Sequence, residues 1–455
     1  MKRISPLIVL VIGGTIGLLA VIGGANPLVF LAITLVVISL IVIIKRPVLG
    51  LYAWIVFLPV QLAFTRPLIG VRLAISDIFI GCTLIALLLF ILVYKKALVR
   101  TSLNIYMLAL VLIFILCTLI TYFSLGYVSR YTLLNKDLGL LILVFSFFAF
   151  MLLIGKDVKR FHNCINILLI SGSVVNIAAI FIYFFNFIPG ISIPSFGGRL
   201  EGFLVDPNAY GGYLTVVFMI QLSVLIARQK MFSPLLMKIN SLLLFFGIIL
   251  TESRSAWIGL VLGLAALLWF YRARFGRTVK VLLPFIIMVA GIFAFFYTHT
   301  GPQILSRFER TSTIEIRWQL IETGLELWKH DPVFGIGIGA FPELSPLYFP
   351  RSIIIHNTYI WLLVETGIVG LAVFTLLLVR VAKNIGTAIK QLPEERGIAI
   401  GICCAFVSML GFMIGIEAFY QRHLWLLFAF SEILYMMAVA RKLEATQAGT
   451  IASNI

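Results

Sequence analysis

The chain has 455 residues, 62% of them hydrophobic and 12% charged, and its mean hydropathy is +1.12. A soluble domain is about 45–50% apolar and about 25% charged, so this composition excludes a cytosolic enzyme or a compact nucleic-acid binder and calls for a polytopic membrane protein. The formal net charge of +17, from 35 Lys and Arg against 18 Asp and Glu, is then partly topology and partly available to an anionic partner.

A membrane-spanning helix needs about 20 apolar residues. Fourteen runs approach that length, near 6–24, 27–44, 48–64, 74–94, 103–123, 138–154, 164–188, 208–228, 237–251, 255–271, 279–297, 357–380, 397–416 and 421–440. The expected fold class is all-α, a polytopic transmembrane helical bundle of about 12–14 spans with one large outward loop containing short helices. Five segments follow: N-terminal transmembrane helices (1–188), central transmembrane helices with outward arginine-bearing loops (189–297), a large periplasmic loop (298–356), C-terminal transmembrane helices (357–440) and a cytoplasmic tail (441–455). Lys2 and Arg3, then an apolar run, then small residues around Gly23 and Ala25 read as a retained first helix, because a second apolar run follows at once. The five cysteines (Cys82, Cys117, Cys164, Cys403 and Cys404) have no metal-ligand spacing and read as small core hydrophobes.

With the N-terminus in the cytoplasm, alternate loops collect about two thirds of the basic residues, including Lys95, Lys96, Arg272, Arg274, Arg380, Lys383, Lys390 and Arg441. The positive-inside bias therefore predicts both termini in the cytoplasm. The connection 298–356 then faces outward and is too long to be idle. Within it, EIRWQLIETGLELWKH (315–330) spaces Ile316, Leu320, Ile321, Leu325, Leu327 and Trp328 as an amphipathic helix on the membrane surface or over a cavity. A second outward loop, 189–207, is rich in Gly and Pro.

Topology does not ask for basic residues outside. Arg199 in FGGRLEGFLVDPNAYGG, Arg254 in TESRSAWIG and Arg351 before SIIIHNTYIW all lie near the outer interface. An arginine there either snorkels to lipid headgroups or grips phosphate oxygens with its fork. Two of them, Arg199 and Arg254, sit in polar, Gly/Ser/Asn-rich knots, which favours a ligand site. Asn208 and Glu252 belong to the same knots. His356 opens HNTYIWLLVETG, where an imidazole can take a proton from a hydroxyl, and Tyr359 follows it. The other histidines, His162, His299, His330 and His423, have no comparable setting, and no two have zinc spacing. GIGIG (Gly335, Gly337, Gly339) follows no strand and lacks the Lys ending of a phosphate loop, so it reads as a turn packed closely on a helix. Glu365, inside the twelfth run, should face the protein interior, and Asp77 and Glu417 raise the same question.

Taken in order, GRLEGFLVDPNAYGGYL, ESRSAWIGL, RWQLIETGLELWKHDPVFGIGIGAF and HNTYIWLLVETG, with ten residues between His356 and Gly367, resemble the O-antigen ligase and polymerase superfamily over roughly residues 190–420. The resemblance implies a glycosyltransferase of the bacterial inner membrane with its active site on the periplasmic face. The donor would be a glycan on undecaprenyl pyrophosphate, the acceptor a hydroxyl of lipid A–core, and the partners otherwise membrane lipids and no nucleic acid. The reaction would be metal-independent, without cofactor, and inverting. Such a donor carries its own leaving group, so paired carboxylates are unnecessary. Positive charge on the diphosphate is assigned to Arg199 and Arg254, the base to His356, and further substrate contacts to Arg317 and Arg351, with Asn208, Glu252 and Tyr359 as additional candidates. A polymerase or a protein O-oligosaccharyltransferase would use the same donor. A membrane transporter is the alternative from a different class, expected to show repeated halves and broken helices at mid-membrane.

Overall fold

The computed structural model describes residues 39–60, 75–94, 99–185, 198–204, 206–229, 231–299 and 311–453. The expected run 6–24, most of 27–44, and residues 189–197 and 205 of the expected loop 189–207 lie outside these residues. Every regular element described is helical: α1 Pro47–Phe57, α2 Ile75–Tyr94, α3 Asn104–Leu125, α4 Leu138–Leu153 after a π-helical turn Thr132–Asp137, α5 Val158–Phe185, α6 Pro207–Ala227 and α7 Pro234–Leu250. They continue with α8 Arg254–Phe270, α9 Phe275–His299, α10 Thr311–Trp328, α11 Ala340–Leu344, α12 Thr358–Gln391, α13 Arg396–Phe412 and α14 Arg422–Ser453. The fold is an all-α polytopic bundle.

Among the described residues, seven helices are long and apolar enough to cross a membrane. The remaining expected spans take other forms. Helix α8 and the start of α9 bend by 76° at a short break, as a broken span or a re-entrant pair, and α1, α7 and α13 are shorter apolar helices. Side-chain caps set where two of these helices start: Ser233 precedes α7 and Ser253 precedes α8, each accepting a backbone N–H with its Oγ.

Helix α6 is the axis. Of its apolar stretch, 94% is buried inside the protein, against 28% for the peripheral α2. It packs against α7, α8 and α13. The α8–α13 crossing is made close by Gly259 and Gly263, spaced as in a small-xxx-small motif: a methyl group at Gly259 would lie 2.5 Å from the Ser408 carbonyl oxygen. Three of the cysteines, Cys117, Cys164 and Cys404, are buried in this core.

The polar residues sort by end. At one end Asp77 accepts two hydrogen bonds from Arg422, at 2.7 and 2.5 Å, tying the start of α2 to the start of α14. At the other end Glu432 accepts the Ser102 N–H at 2.7 Å, the Ser102 hydroxyl at 2.6 Å and the Asn384 amide at 2.7 Å. His162 meets Glu395 at 2.8 Å there as well. Loops expected on one side of the membrane thus meet one another.

Helix α12 is broken. Gly367 takes φ 64° and ψ −170°, a region essentially reserved for glycine. Segment 332–339 fills the break. Ile368 and Val369 donate backbone N–H groups to the carbonyls of Pro332 and Val333, and Ile336 donates to that of Val364. Ile338 donates to the Cys117 carbonyl, and Thr121 returns a bond to the Ile338 carbonyl at 2.8 Å. The GIGIG run is therefore a turn wedged between α3 and α12. Glu365 faces the interior and accepts the Gly339 N–H at 2.8 Å. A Cβ at Gly367 would lie 2.1 Å from the Val333 carbonyl oxygen. Gly367→Ala is expected to cost about 1–3 kcal/mol from backbone strain alone, read as a lowered unfolding temperature of the purified protein, with Ala at exposed, helical Gly276 as the unaffected control.

Candidate functional site

The site forms where three helices begin. Asp206, followed by Pro207 at the first helical position, caps α6 and accepts the Asn208 N–H at 2.8 Å. Ser253 caps α8, and its hydroxyl also donates to Asn208 Oδ1 at 2.9 Å. Asn357 caps α12, accepting the N–H groups of Tyr359 and Ile360 at 3.0 Å. Three helix N-termini thus bring partial positive charge to one end of the bundle, a setting suited to an anion.

Arg199 is half-buried and stitches two of these starts together. Its Nε donates to the Thr251 carbonyl at 2.9 Å, and its Nη2 to the Glu252 carbonyl at 3.1 Å and Asn208 Oδ1 at 3.3 Å. Glu252 makes this turn possible by adopting φ 49°, a left-handed conformation uncommon outside glycine. Arg254, half-buried, is the first residue of α8. Arg317 reaches down from α10 and donates to the Gly415 carbonyl at 3.0 Å, in the turn between α13 and α14. Asn357 and Thr358 fasten that same turn to the start of α12, through bonds to the Ile414 and Ile416 carbonyls at 2.9 and 2.8 Å.

The guanidinium groups feel one another. Burial lowers the Arg317 pKa first, then the charges of Arg254 and Arg199, with Asp206 opposing. Arg199 is lowered by burial and by Arg254, while Glu252, Asp206 and Glu201 counter the effect. His356 lies next to this field. Burial and then Arg317 hold its imidazole down at about 4, with Asp206 pulling upward. Its Nδ1 is buried without a hydrogen-bond partner.

Arg199, Asn208, Glu252, Arg254, Arg317 and His356, chosen from the sequence, therefore share one region. Two other chosen residues do not. Arg351 is exposed, and no described contact joins it to the cluster. The residues just after it are pinned to α11 and the turn that follows α11, by the Ser352 hydroxyl on the Pro342 carbonyl and by the Ile353 N–H on Ser345 Oγ. Tyr359 turns to α13 and donates to the Leu410 carbonyl at 2.9 Å, a packing contact. The amphipathic helix expected at 315–330 is α10. It buries Leu320 and packs Gly324 on Ile355, Val364 and Phe341, so it covers the bundle end, while Ile316 and Trp318 remain exposed.

Sequence reading passed over Asp206, although Asp before Pro is a helix-start signal. It also passed over Lys136, whose Nζ lies 3.2 Å from Glu417 with only 2% and 9% of the two side chains exposed. Trp361 and Tyr420 rings lie 4.4 and 4.6 Å from that ammonium. Glu417 follows Gly415 by two residues, so the pair anchors the turn that receives Arg317.

Residues 239–375, less than a third of the chain, match the family described as O-antigen ligase, Wzy_C. The chain carries an O-antigen ligase-like domain. The matched span runs from α7 through the break in α12 and contains Glu252, Arg254, Arg317 and His356, while Arg199 and Asn208 lie before it. No curated protein matches the chain. The family implies a glycosyl-transferring enzyme in a multi-pass membrane protein.

Breaking a buried ion pair strands a charge, at a cost of about 3–5 kcal/mol, whereas removing both partners is often neutral. Lys136→Met is expected to lower thermal stability by that amount, and Lys136→Met with Glu417→Gln to restore most of it. Equal losses in the single and double variants would show that the pair does not hold the turn.

Proposed function

We propose that the protein transfers a glycan from undecaprenyl pyrophosphate to a hydroxyl of lipid A–core, on the periplasmic face of the bacterial inner membrane. The observation that carries this reading is the convergence of Arg199, Arg254 and Arg317 with an unpaired His356 where α6, α8 and α12 begin. In the reaction, the acceptor oxygen attacks the anomeric carbon and the bond from that carbon to the pyrophosphate oxygen breaks. The electron pair leaves with the diphosphate, held by Arg199 and Arg254 with Arg317 beside them. The acceptor proton passes to the His356 imidazole. Attack opposite the leaving group inverts the anomeric centre. The positive charge comes from arginine side chains and helix ends, so the scheme uses neither metal nor cofactor.

The depressed basicity of His356 fits this order of events. With a pKa of about 4 the free imidazole is neutral at pH 7. A bound diphosphate offsets the positive field of Arg317 and raises the basicity of His356 when the acceptor is to be deprotonated.

A polymerase or a protein O-oligosaccharyltransferase would share these residues and differ only in acceptor. For transport, the break in α12 would have to line a cavity, but the backbone of 332–339 fills it.

The test is purified protein in lipid nanodiscs with undecaprenyl-pyrophosphate glycan and, separately, lipid A–core, a second donor glycan and an acceptor peptide. Consumption of lipid A–core supports the ligase reading, and consumption of either other acceptor alone replaces it. His356→Ala is expected to lose about 10²–10⁴-fold in turnover while inserting and folding. Unchanged turnover would remove the base assignment. The pH dependence is the second prediction. Because kcat/KM reports the free enzyme and kcat the donor complex, kcat/KM should stay level from pH 7.5 down to about 5, since only a pKa near 4 limits it, while kcat falls at a higher pH. Coincident acid limbs near pH 6.5 would contradict the proposed field on His356.

A further inference from the structure

At the end of α12 remote from His356, about 30 Å of helix away, Arg380, Lys383, Lys390, Asn384 and Tyr435 line a cavity of about 430 Å³ between α12 and α14. We propose that this cavity binds an anionic phospholipid of the phosphatidylglycerol type. The site does not depend on the proposed glycan transfer.

Spacing is the first argument. Arg380, Lys383, Thr387 and Lys390 fall at intervals of three, four and three residues, a single stripe on one helix face. Like charges one turn apart destabilise a helix by themselves, so the stripe is best accommodated with an anion against it. The second argument is that internal neutralisation is incomplete. The charge of Glu432 reaches Arg380, but its oxygens accept hydrogen bonds from Ser102 and Asn384, and one carboxylate does not balance three cations. No described ion pair involves Arg380, Lys383 or Lys390.

The third argument distinguishes a site from a basic surface. Lys383 and Lys390 are exposed and would reach lipid phosphates anywhere, as topology-setting lysines do. Arg380 is half-buried, and its guanidinium lies 5.1 Å from the centre of the Tyr435 ring, a cation–π contact. Its Nε is buried without a hydrogen-bond partner. Asn384 Oδ1 is also buried and unpartnered, while the Asn384 amide nitrogen donates to Ser102 and Glu432. The cavity therefore offers a held guanidinium flanked by two lysines for a phosphate. That combination matches a phosphate whose charge is not cancelled within the headgroup, as in phosphatidylglycerol, and is opposed by the ammonium of choline. Just before Arg380, Leu376 and Val379 are 54% and 45% exposed on the apolar side, which gives acyl chains a surface continuous with the headgroup cavity.

The experiment measures lipid retained on the purified full-length protein by native mass spectrometry, together with its unfolding temperature. It uses added phosphatidylglycerol, phosphatidylcholine or inorganic phosphate. Retention and stabilisation by phosphatidylglycerol over phosphatidylcholine are expected, with retention falling on the order of tenfold in R380Q/K390Q and little in K442Q, an exposed lysine outside the cavity. K383Q/K390Q alters only exposed side chains, and an intermediate fall is expected there even if loss of Arg380 impairs folding. Equal retention of the two lipids, or equal falls in K442Q and K383Q/K390Q, would overturn the site in favour of general surface attraction. Stabilisation by inorganic phosphate equal to that by phosphatidylglycerol would assign the cavity to free phosphate and overturn the lipid.

Discussion

The arrangement depends on how Arg199 and Arg317 are held. Their described hydrogen bonds run to neutral oxygens, the carbonyls of Thr251, Glu252 and Gly415 and the amide of Asn208. A carboxylate in those places would fix the side chains and cancel their charge together. Carbonyls fix them and leave the charge to act on its surroundings, which is why Arg254 and Arg199 are felt at Arg317 and Arg317 is felt at His356. Half-buried like charges oppose folding, and such a cluster persists when the surrounding structure over-determines it. Here the capped starts of α6, α8 and α12 do so.

The same end of the bundle is stiffened from beneath. The break at Gly367 admits the 332–339 backbone, Glu365 takes the Gly339 N–H, and the wedge joins α3 to α12. Lys136 and Glu417 fasten the turn that carries Gly415. These contacts couple the long connection, through α10 and Arg317, to the start of α12, just after His356. A loop so anchored presents charge at a fixed place, as electrostatic stabilisation of a leaving diphosphate requires.

Much of this is legible in the sequence, for definite reasons. Apolar runs mark most of the helices because a spanning segment must be uniformly apolar. Polar knots containing Arg199 and Arg254 stand out because topology does not explain them. The partners of charged residues are not legible. Asp77 pairs with Arg422, 345 positions away, and Lys136 with Glu417, 281 positions away. Nothing local distinguishes Lys136 from an exposed loop lysine until aromatic rings close over it. Arg351 shows the converse. It lies five residues before His356 in the chain, but it is exposed and no described contact joins it to the cluster, so proximity in sequence is no guide there. Helix ends are also under-determined by hydropathy: α1 stops at Phe57, inside the apolar run 48–64.

The claim on which the account rests is that Arg199, Arg254 and Arg317 form one diphosphate site. The direct measurement is the affinity of the purified protein for undecaprenyl pyrophosphate and for undecaprenyl monophosphate, in wild type and in the three single Arg→Gln variants. A charge-assisted hydrogen bond contributes about 1.5–3 kcal/mol. The account predicts that each variant binds the pyrophosphate on the order of tenfold or more weakly and narrows the preference over the monophosphate. Folded variants that keep wild-type affinity and preference would contradict it.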